Sequence, residues 1–365
     1  MAGSGGTPAG ASGAGMVAGN TGVSGAGTGG TSGAAGTPGV GGTPAGAAGA
    51  SAGTGGGGGG GADITQVVPT EGCGKAPGPT GRQTIPTMGT KDADCAAQVC
   101  GDWQWDREYA VTLPQNYDMN KPYSIVFQGP GCGGNYQGVY DLDGNAGNTA
   151  IRVGLTPAPN EAGHGTNPNK GCFDDKEGDD SLDWVFYETL YDRLATQFCF
   201  DKNRVFASGN SSGAWFSNEL GCKYAGDATR PVRGIMPNTG GLPAEAEFKP
   251  TCTTKPMAGM WIHEKGDGTN PFEGTIRAVT RAMSVNSCTM GNSYETATFE
   301  NFPIGGDNPD TRCKRIVGCD PLYPLVVCAL DGGGHAPHDN VANPGFSTFI
   351  KLFSSTTTTP PFLTP

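Results

Sequence analysis

The chain has 365 residues, a formal net charge of −11, 64 glycines and 12 cysteines. That charge argues against nucleic acid or an anionic membrane surface as a partner, and no apolar run approaches the length of a membrane span. The cysteines all lie between Cys73 and Cys328, with no C-x-x-C pair and no Cys/His pattern suited to zinc, so they read as a disulfide set formed in an oxidising compartment.

Residues 1–62 are Gly, Ala, Ser and Thr with scattered Pro, Val, Met and Asn. No charged residue precedes Asp63 and no aromatic precedes Trp103, so the stretch has nothing large to bury against the entropy of ordering its glycines. It reads as a flexible tether, and Gly does not recur every third residue as collagen requires. The start of the chain has neither the basic nor the apolar region of a signal peptide. A trimmed secreted or cell-surface-tethered protein is therefore expected, acting as a monomer. Residues 63–355 suffice for one domain with a sizeable core, and 356–365 form a Thr/Pro tail.

Within that domain, residues 63–102 are rich in Pro, Gly and Thr and carry Cys73, Cys95 and Cys100; they read as an irregular lead-in, with regular structure starting near Arg107. Glu108 to Leu113 and Tyr123 to Phe127 read as strands, separated by a turn rich in Asn, Asp and Pro. Gln128-Gly129-Pro130-Gly131-Cys132-Gly133-Gly134 follows, a glycine-dense loop whose backbone N–H groups can approach a ligand closely. Ile151 to Leu155 is a further strand. Asp174, Asp175, Glu177, Asp179 and Asp180 do not fit the spacing of a calcium loop, and no metal site is expected. They precede a helix from Ser181 to Gln197 with an apolar stripe at Leu182, Val185, Phe186, Leu190 and Leu194.

The stretch from Arg204 to Leu220 runs from an apolar strand through Gly209-Asn210-Ser211-Ser212-Gly213 into a helix. G-x-S-x-G in that setting is the turn that exposes a nucleophilic serine, here Ser211. The plainer reading is an ordinary strand-to-helix turn. Gly234 to Pro237, Met257 to His263 and Pro324 to Leu330 read as later strands, Gly274 to Val285 and Phe346 to Phe353 as helices. Strands alternating with helices predict an α/β fold, a mostly parallel sheet covered on both faces.

A serine nucleophile needs a base, and the chain has four histidines. His335 follows three glycines just beyond the last strand, where an α/β hydrolase places its base, and His338 is its competitor. His263 falls inside an apolar strand and reads as packed or supporting; His164 precedes the serine. Asp267, on the loop after the Met257 to His263 strand, is the expected orienting acid, with Asp307 and Asp310 as alternatives. The Ser212 N–H and that of Gly131 or Cys132 are the expected oxyanion donors, since Pro130 has none. Gln128, Trp215 and His338 are the expected substrate contacts. Trp184 and Trp261 are further aryl-subsite candidates, although aromatic residues beside a sheet are more often core.

The Cys132-Gly133-Gly134 loop, the run Cys199 to Phe206, the acid loop His263 to Phe272 and Gly332-Gly333-Gly334-His335 resemble the secreted polyhydroxybutyrate depolymerase and feruloyl or acetylxylan esterase group of α/β hydrolases. The resemblance runs from about Arg107 to Phe353. Two departures are Gln128-Gly129, with Pro130-Gly131 inserted, where the group has His-Gly, and Ala336-Pro337-His338 where it has Trp-Pro after the histidine. It implies a serine esterase of the α/β-hydrolase fold acting on polyester or esterified polysaccharide through an acyl-enzyme, with no cofactor. The rival class is a non-catalytic carbohydrate-binding or adhesion protein, which the tether would suit but which has no use for three correctly ordered triad residues.

Because residues 1–62 lack apolar surface with which to join a core, their deletion is expected to leave both the melting temperature and the turnover of a soluble ester unchanged. Calorimetry and a chromogenic ester assay check this.

Overall fold

The computed structural model of the chain describes residues 64–89, 103–142, 150–157, 171–173, 182–243, 252–305 and 312–353. The proposed tether and tail, His164, the acids from Asp174 to Asp180, Asp307, Asp310, Cys95 and Cys100 lie outside the described residues.

Among the described residues, ten strands form one sheet in the order β1-β2-β4-β3-β5-β6-β7-β10-β9-β8. Its centre is parallel: β4 (Ala150–Leu155), β3 (Tyr123–Gly129), β5 (Phe200–Asn210), β6 (Gly234–Asn238), β7 (Ala258–Glu264) and β10 (Leu325–Leu330). The sequence shows this as unbroken apolar runs, because strands covered on both faces have no solvent side to alternate toward. β3 and β6 are buried along their whole length.

Side chains that alternate across the sheet feed two cores. Ile125, Phe127, Ile151, Val205 and Trp261 pack with α1 (Leu182–Gln197), α2 (Ser212–Tyr224) and α3 (Glu273–Val285). Val126, Phe206, Met236, Met260 and Val326 pack against α4 (Asp339–Lys351). Every parallel strand thus delivers its carboxyl end to the same edge of the sheet, where the ligand site of an open α/β fold forms.

The edges differ from expectation. The supposedly irregular lead-in contains β1 (Gly81–Gly89), antiparallel to β2, and β2 itself runs from Trp103 to Thr112. β1 carries Pro86 and is largely polar; such a strand is tolerated at an edge, where a proline costs no ladder hydrogen bond. At the other edge β9 (Cys313–Ile316) and β8 (Phe299–Asn301) add antiparallel strands too short to leave a periodic signal. α4 begins seven positions earlier than expected, before Pro344, because Pro344 stands in its second turn rather than ending it.

Ten described cysteines form five disulfides: Cys73–Cys199, Cys132–Cys172, Cys222–Cys252, Cys288–Cys319 and Cys313–Cys328. Cys313 and Cys319, six positions apart, thus pair with Cys328 and Cys288 and not with each other. Cys313 stands directly opposite Cys328 in the antiparallel β9/β10 ladder, which brings together two side chains 15 positions apart.

Arg107 and Asp183 join β2 to α1 inside the core. Arg107 Nη2 lies 2.6 Å from Asp183 Oδ1 and donates to the Thr156 carbonyl at 2.9 Å, with the guanidinium 4.2 Å from the Phe186 ring centre. Burial lowers the Arg107 pKa, and Asp183 opposes that shift. Removing one partner of a buried pair strands the other charge, so Asp183→Ala is expected to cost about 3–5 kcal/mol. Thermal unfolding should show this as a fall in Tm on the order of 10 °C.

Candidate active site

The site starts from a contact among glycines. A Cβ on Gly213 would stand 2.1 Å from the Gly129 carbonyl oxygen, one on Gly209 2.3 Å from the Gly213 oxygen, and one on Gly129 2.9 Å from the Gly213 Cα. These distances exclude any side chain, so α2 begins pressed against the ends of β3 and β5. Ser211, between them, has φ 53° and ψ −115°, a conformation that costs a non-glycine residue on the order of 1–3 kcal/mol. Its N–H donates to the Asn238 carbonyl at 3.0 Å, and its own carbonyl accepts from Ala214 and Trp215 at 2.9 and 3.1 Å. The turn is thus held at both ends while the side chain projects above the sheet edge.

Two loops bring the partners to it. The loop after β7 and the loop after β10 are zipped together by Lys265 N–H to the Leu330 carbonyl and Gly266 N–H to the Gly332 carbonyl, each 2.9 Å, and by the exposed Lys265–Asp331 pair at 2.8 Å. The Gly334 N–H donates to the Glu264 carboxylate, fixing the residue just before His335. Asp267 and His335 thereby meet 68 positions apart: His335 Nδ1 lies 2.7 Å from Asp267 Oδ2, and His335 Nε2 lies 2.9 Å from Ser211 Oγ. The carboxylate at Nδ1 can only accept, so Nδ1 carries the proton and Nε2 accepts from the serine hydroxyl.

Asp267 is enclosed, its side chain without exposed surface. Its Oδ1 accepts from the Thr269 and Asn270 N–H groups at 2.8 and 3.0 Å, and Oδ2 accepts from His335. Burial pushes its pKa up, but the His335 hydrogen bond and the two backbone donors outweigh this and leave the pKa below the ordinary value. The acid therefore keeps its charge to a lower pH than a free aspartate does.

The other expected residues separate. Gly131 lies against the serine: a Cβ there would be 3.3 Å from Ser211 Cβ. Ser212 opens α2, its N–H at the positive end of the helix dipole. Cys132 is exposed and tied to Cys172. Trp215, partly exposed, sits one helical turn past Ser211, its ring edge beside Gly240. Gln128, expected at the substrate, is instead wholly buried and accepts the Tyr140 N–H at 2.7 Å, because the alternation of β3 turns it down onto the α4 side of the sheet. Trp184 and Trp261 are core residues, 1% and 0% exposed.

His338 does not reach the serine. It precedes α4 in a left-handed conformation, φ 43°, with Nε2 3.4 Å from Glu264 Oε1. Burial is the main cause of its lowered pKa. Sequence reasoning missed Glu264, Asn270 and Thr239. Thr239 Oγ1 donates to Asn210 Oδ1 at 2.8 Å and its carbonyl accepts from Asn270 Nδ2 at 2.7 Å, linking the serine turn to the acid loop. The available signal was position: Glu264 ends β7, Thr239 follows β6 directly, and Asn270 stands three residues past Asp267 on the acid loop.

No protein-family profile matches the chain. It is 27% identical over 236 residues to the probable feruloyl esterase C of Aspergillus niger, covering 62% of this chain and 76% of that protein. It is 26% identical over 236 residues to feruloyl esterase C of Emericella nidulans, again covering 62% and 76%. Among solved structures, a ferulic acid esterase of Anaeromyces mucronatus in complex with ferulic acid overlays with a TM-score of 0.42 at 14% identity, covering 80% of this chain and 98% of that one. The strand order and the serine turn are those of an α/β hydrolase. Together with the sequence likeness they define a carboxylic ester hydrolase of the α/β-hydrolase class. Within that class the chain is similar in sequence to the feruloyl esterases.

The geometry separates the two late histidines. His335→Ala is expected to lower kcat by on the order of 10⁴-fold or more, whereas His338→Ala, whose ring lies beside Glu264 at the end of β7, should cost far less. Steady-state kinetics on one soluble ester compares them directly.

Proposed function

We propose that the protein hydrolyses feruloyl-type esters of plant cell walls, outside the reducing cytosol, through a covalent acyl-enzyme on Ser211. The observation that carries this reading is the unbroken relay from Ser211 Oγ through His335 to Asp267, at 2.9 and 2.7 Å. In the first half-reaction Ser211 Oγ attacks the ester carbonyl while His335 Nε2 takes the hydroxyl proton. Asp267, already anionic, stabilises the imidazolium that forms. The N–H groups of Ser212 and of Gly131 or Cys132 hold the tetrahedral oxyanion, and His335 returns its proton to the leaving alcohol. Water, activated by the same imidazole, then releases the acid. The likeness to feruloyl esterases supports the substrate class. The five disulfides support an oxidising compartment.

Ser211→Ala is expected to keep the wild-type melting temperature, since the hydroxyl serves chemistry rather than packing, and to lose on the order of 10⁴ to 10⁶ in kcat. A fluorophosphonate probe should label the wild type and not the variant. On a panel of methyl ferulate, acetylated xylan and a hydroxybutyrate oligomer, the highest kcat/KM is expected for methyl ferulate. Retention of more than about a tenth of wild-type turnover by Ser211→Ala would remove the nucleophile assignment.

A further inference from the structure

One buried, titratable side chain at the site is not used by the relay. His263, at the end of β7, has no exposed surface and lies against the far side of the acid. Its Nε2 is 3.2 Å from Asp267 Oδ2, the same oxygen that accepts from His335, and 2.9 Å from the Asn270 carbonyl. Both of those oxygens can only accept, so Nε2 carries a proton. Nδ1 is 2.7 Å from Thr275 Oγ1 in α3, whose hydroxyl has a longer alternative, 3.5 Å, at the Gly240 carbonyl. A neutral imidazole with its proton on Nε2 and the Thr275 hydroxyl donating to Nδ1 satisfies every one of these contacts.

We propose that His263 is a positioning residue for ester hydrolysis: a neutral donor that fixes the carboxylate plane of Asp267, and the Asn270 turn that cradles it, so that Oδ2 faces His335 Nδ1. This rests on the Ser211, His335 and Asp267 reading above. With His263, the acid has four donors, two on each oxygen: Thr269 and Asn270 N–H on Oδ1, His335 and His263 on Oδ2. A rotation of the carboxylate that keeps the His335 bond must break one of the others. Asn270 is held at three points, since it donates its N–H to Asp267 and its side-chain amide to Thr239 and accepts from His263.

Neutrality matters to the chemistry. A charged donor on Oδ2 would compete with the His335 imidazolium for the one negative charge available, whereas a neutral N–H orients the carboxylate and leaves that charge in place. Burial lowers the His263 pKa against the opposing pull of the Asn270 carbonyl and Asp267. From other elements His263 meets Phe272 edge-on at 5.6 Å, Thr275, and Ala329 across the β10 ladder, none of which titrates. The titratable groups facing it are Asp267 and His335; Glu264, Arg312 and Asp339 act on His338.

The test compares His263→Leu, His263→Gln and Thr275→Val in the full chain, with Ser211→Ala alongside, measuring kcat, KM, the acid limb of kcat/KM and Tm. The Leu variant fills the space without a donor. It is expected to lower kcat by about 10- to 100-fold, the scale of a small misplacement of a catalytic group, with KM within about twofold of wild type. Its acid limb should move to lower pH, because an imidazole less firmly held against a carboxylate binds its proton less tightly. The Gln variant, whose amide N–H reaches the position of Nε2, should recover kcat to within about fivefold of wild type and restore the acid limb.

Thr275→Val keeps the ring but removes the hydroxyl that sets its tautomer. It should show a smaller loss with the limb displaced the same way, and it decides the matter if the Leu variant does not fold. Wild-type kcat and acid limb in folded His263→Leu, or in Thr275→Val where Leu is unfolded, would overturn the proposal. So would a Gln variant as slow as Leu with an unmoved limb, since ring volume alone would then account for the loss. An active Ser211→Ala would instead overturn the catalytic reading beneath it.

Discussion

Everything at the catalytic edge depends on how closely three backbones approach one another. Gly129, Gly209 and Gly213 bring the ends of β3 and β5 and the first turn of α2 to distances at which a single Cβ would collide with a carbonyl oxygen. The same contact serves three ends. It forces Ser211 into a conformation that lifts its side chain clear of the sheet. It places the N-terminus of α2, with its partial positive charge, directly behind Ser211. It also brings the loop after β3 over the serine, where the Pro130 carbonyl accepts the Gly213 N–H at 3.1 Å.

The acid and the base are organised by a different device. Neither the loop after β7 nor the loop after β10 has regular structure of its own, yet parallel pairing of β7 with β10 delivers them side by side, and backbone hydrogen bonds continue the pairing beyond the strands. Glu264 then grips the histidine loop on both sides of His335, through the Gly334 N–H and the His338 ring. Asp267, buried and surrounded by donors, is held without a lysine or arginine bonded to it among the described residues. Held by neutral donors, the carboxylate presents its charge to His335 Nδ1 at 2.7 Å.

The sheet edges and disulfides secure this arrangement from outside. Cys132–Cys172 anchors the glycine-rich loop beside the serine, and Cys313–Cys328 staples the added antiparallel edge to β10, the strand that carries the histidine loop.

The parallel core was legible because it is buried on both faces: unbroken runs such as YSIVF in β3 and PLVVCAL around β10 leave the chain no other economical conformation. The serine turn was legible for a related reason, since glycines on both sides of Ser211 mark a steric need that no other residue meets. Chain order and the scarcity of histidines narrowed the base to His335 or its competitor His338 and pointed to Asp267. The edge strands were not legible, because β1, β8 and β9 are short, polar or interrupted by Pro86, and an edge strand is defined by its neighbour rather than by its own pattern. Disulfide connectivity was decided by ladder register, which set Cys313 opposite Cys328. The fate of Gln128 and the choice between His335 and His338 were also left to the tertiary structure. Which face a side chain takes, and which of two nearby rings reaches a hydroxyl, depends on strand parity and on the path of one loop. Local sequence determines that a loop forms, but distant contacts, here Glu264 and the neighbouring β7 loop, determine where it points.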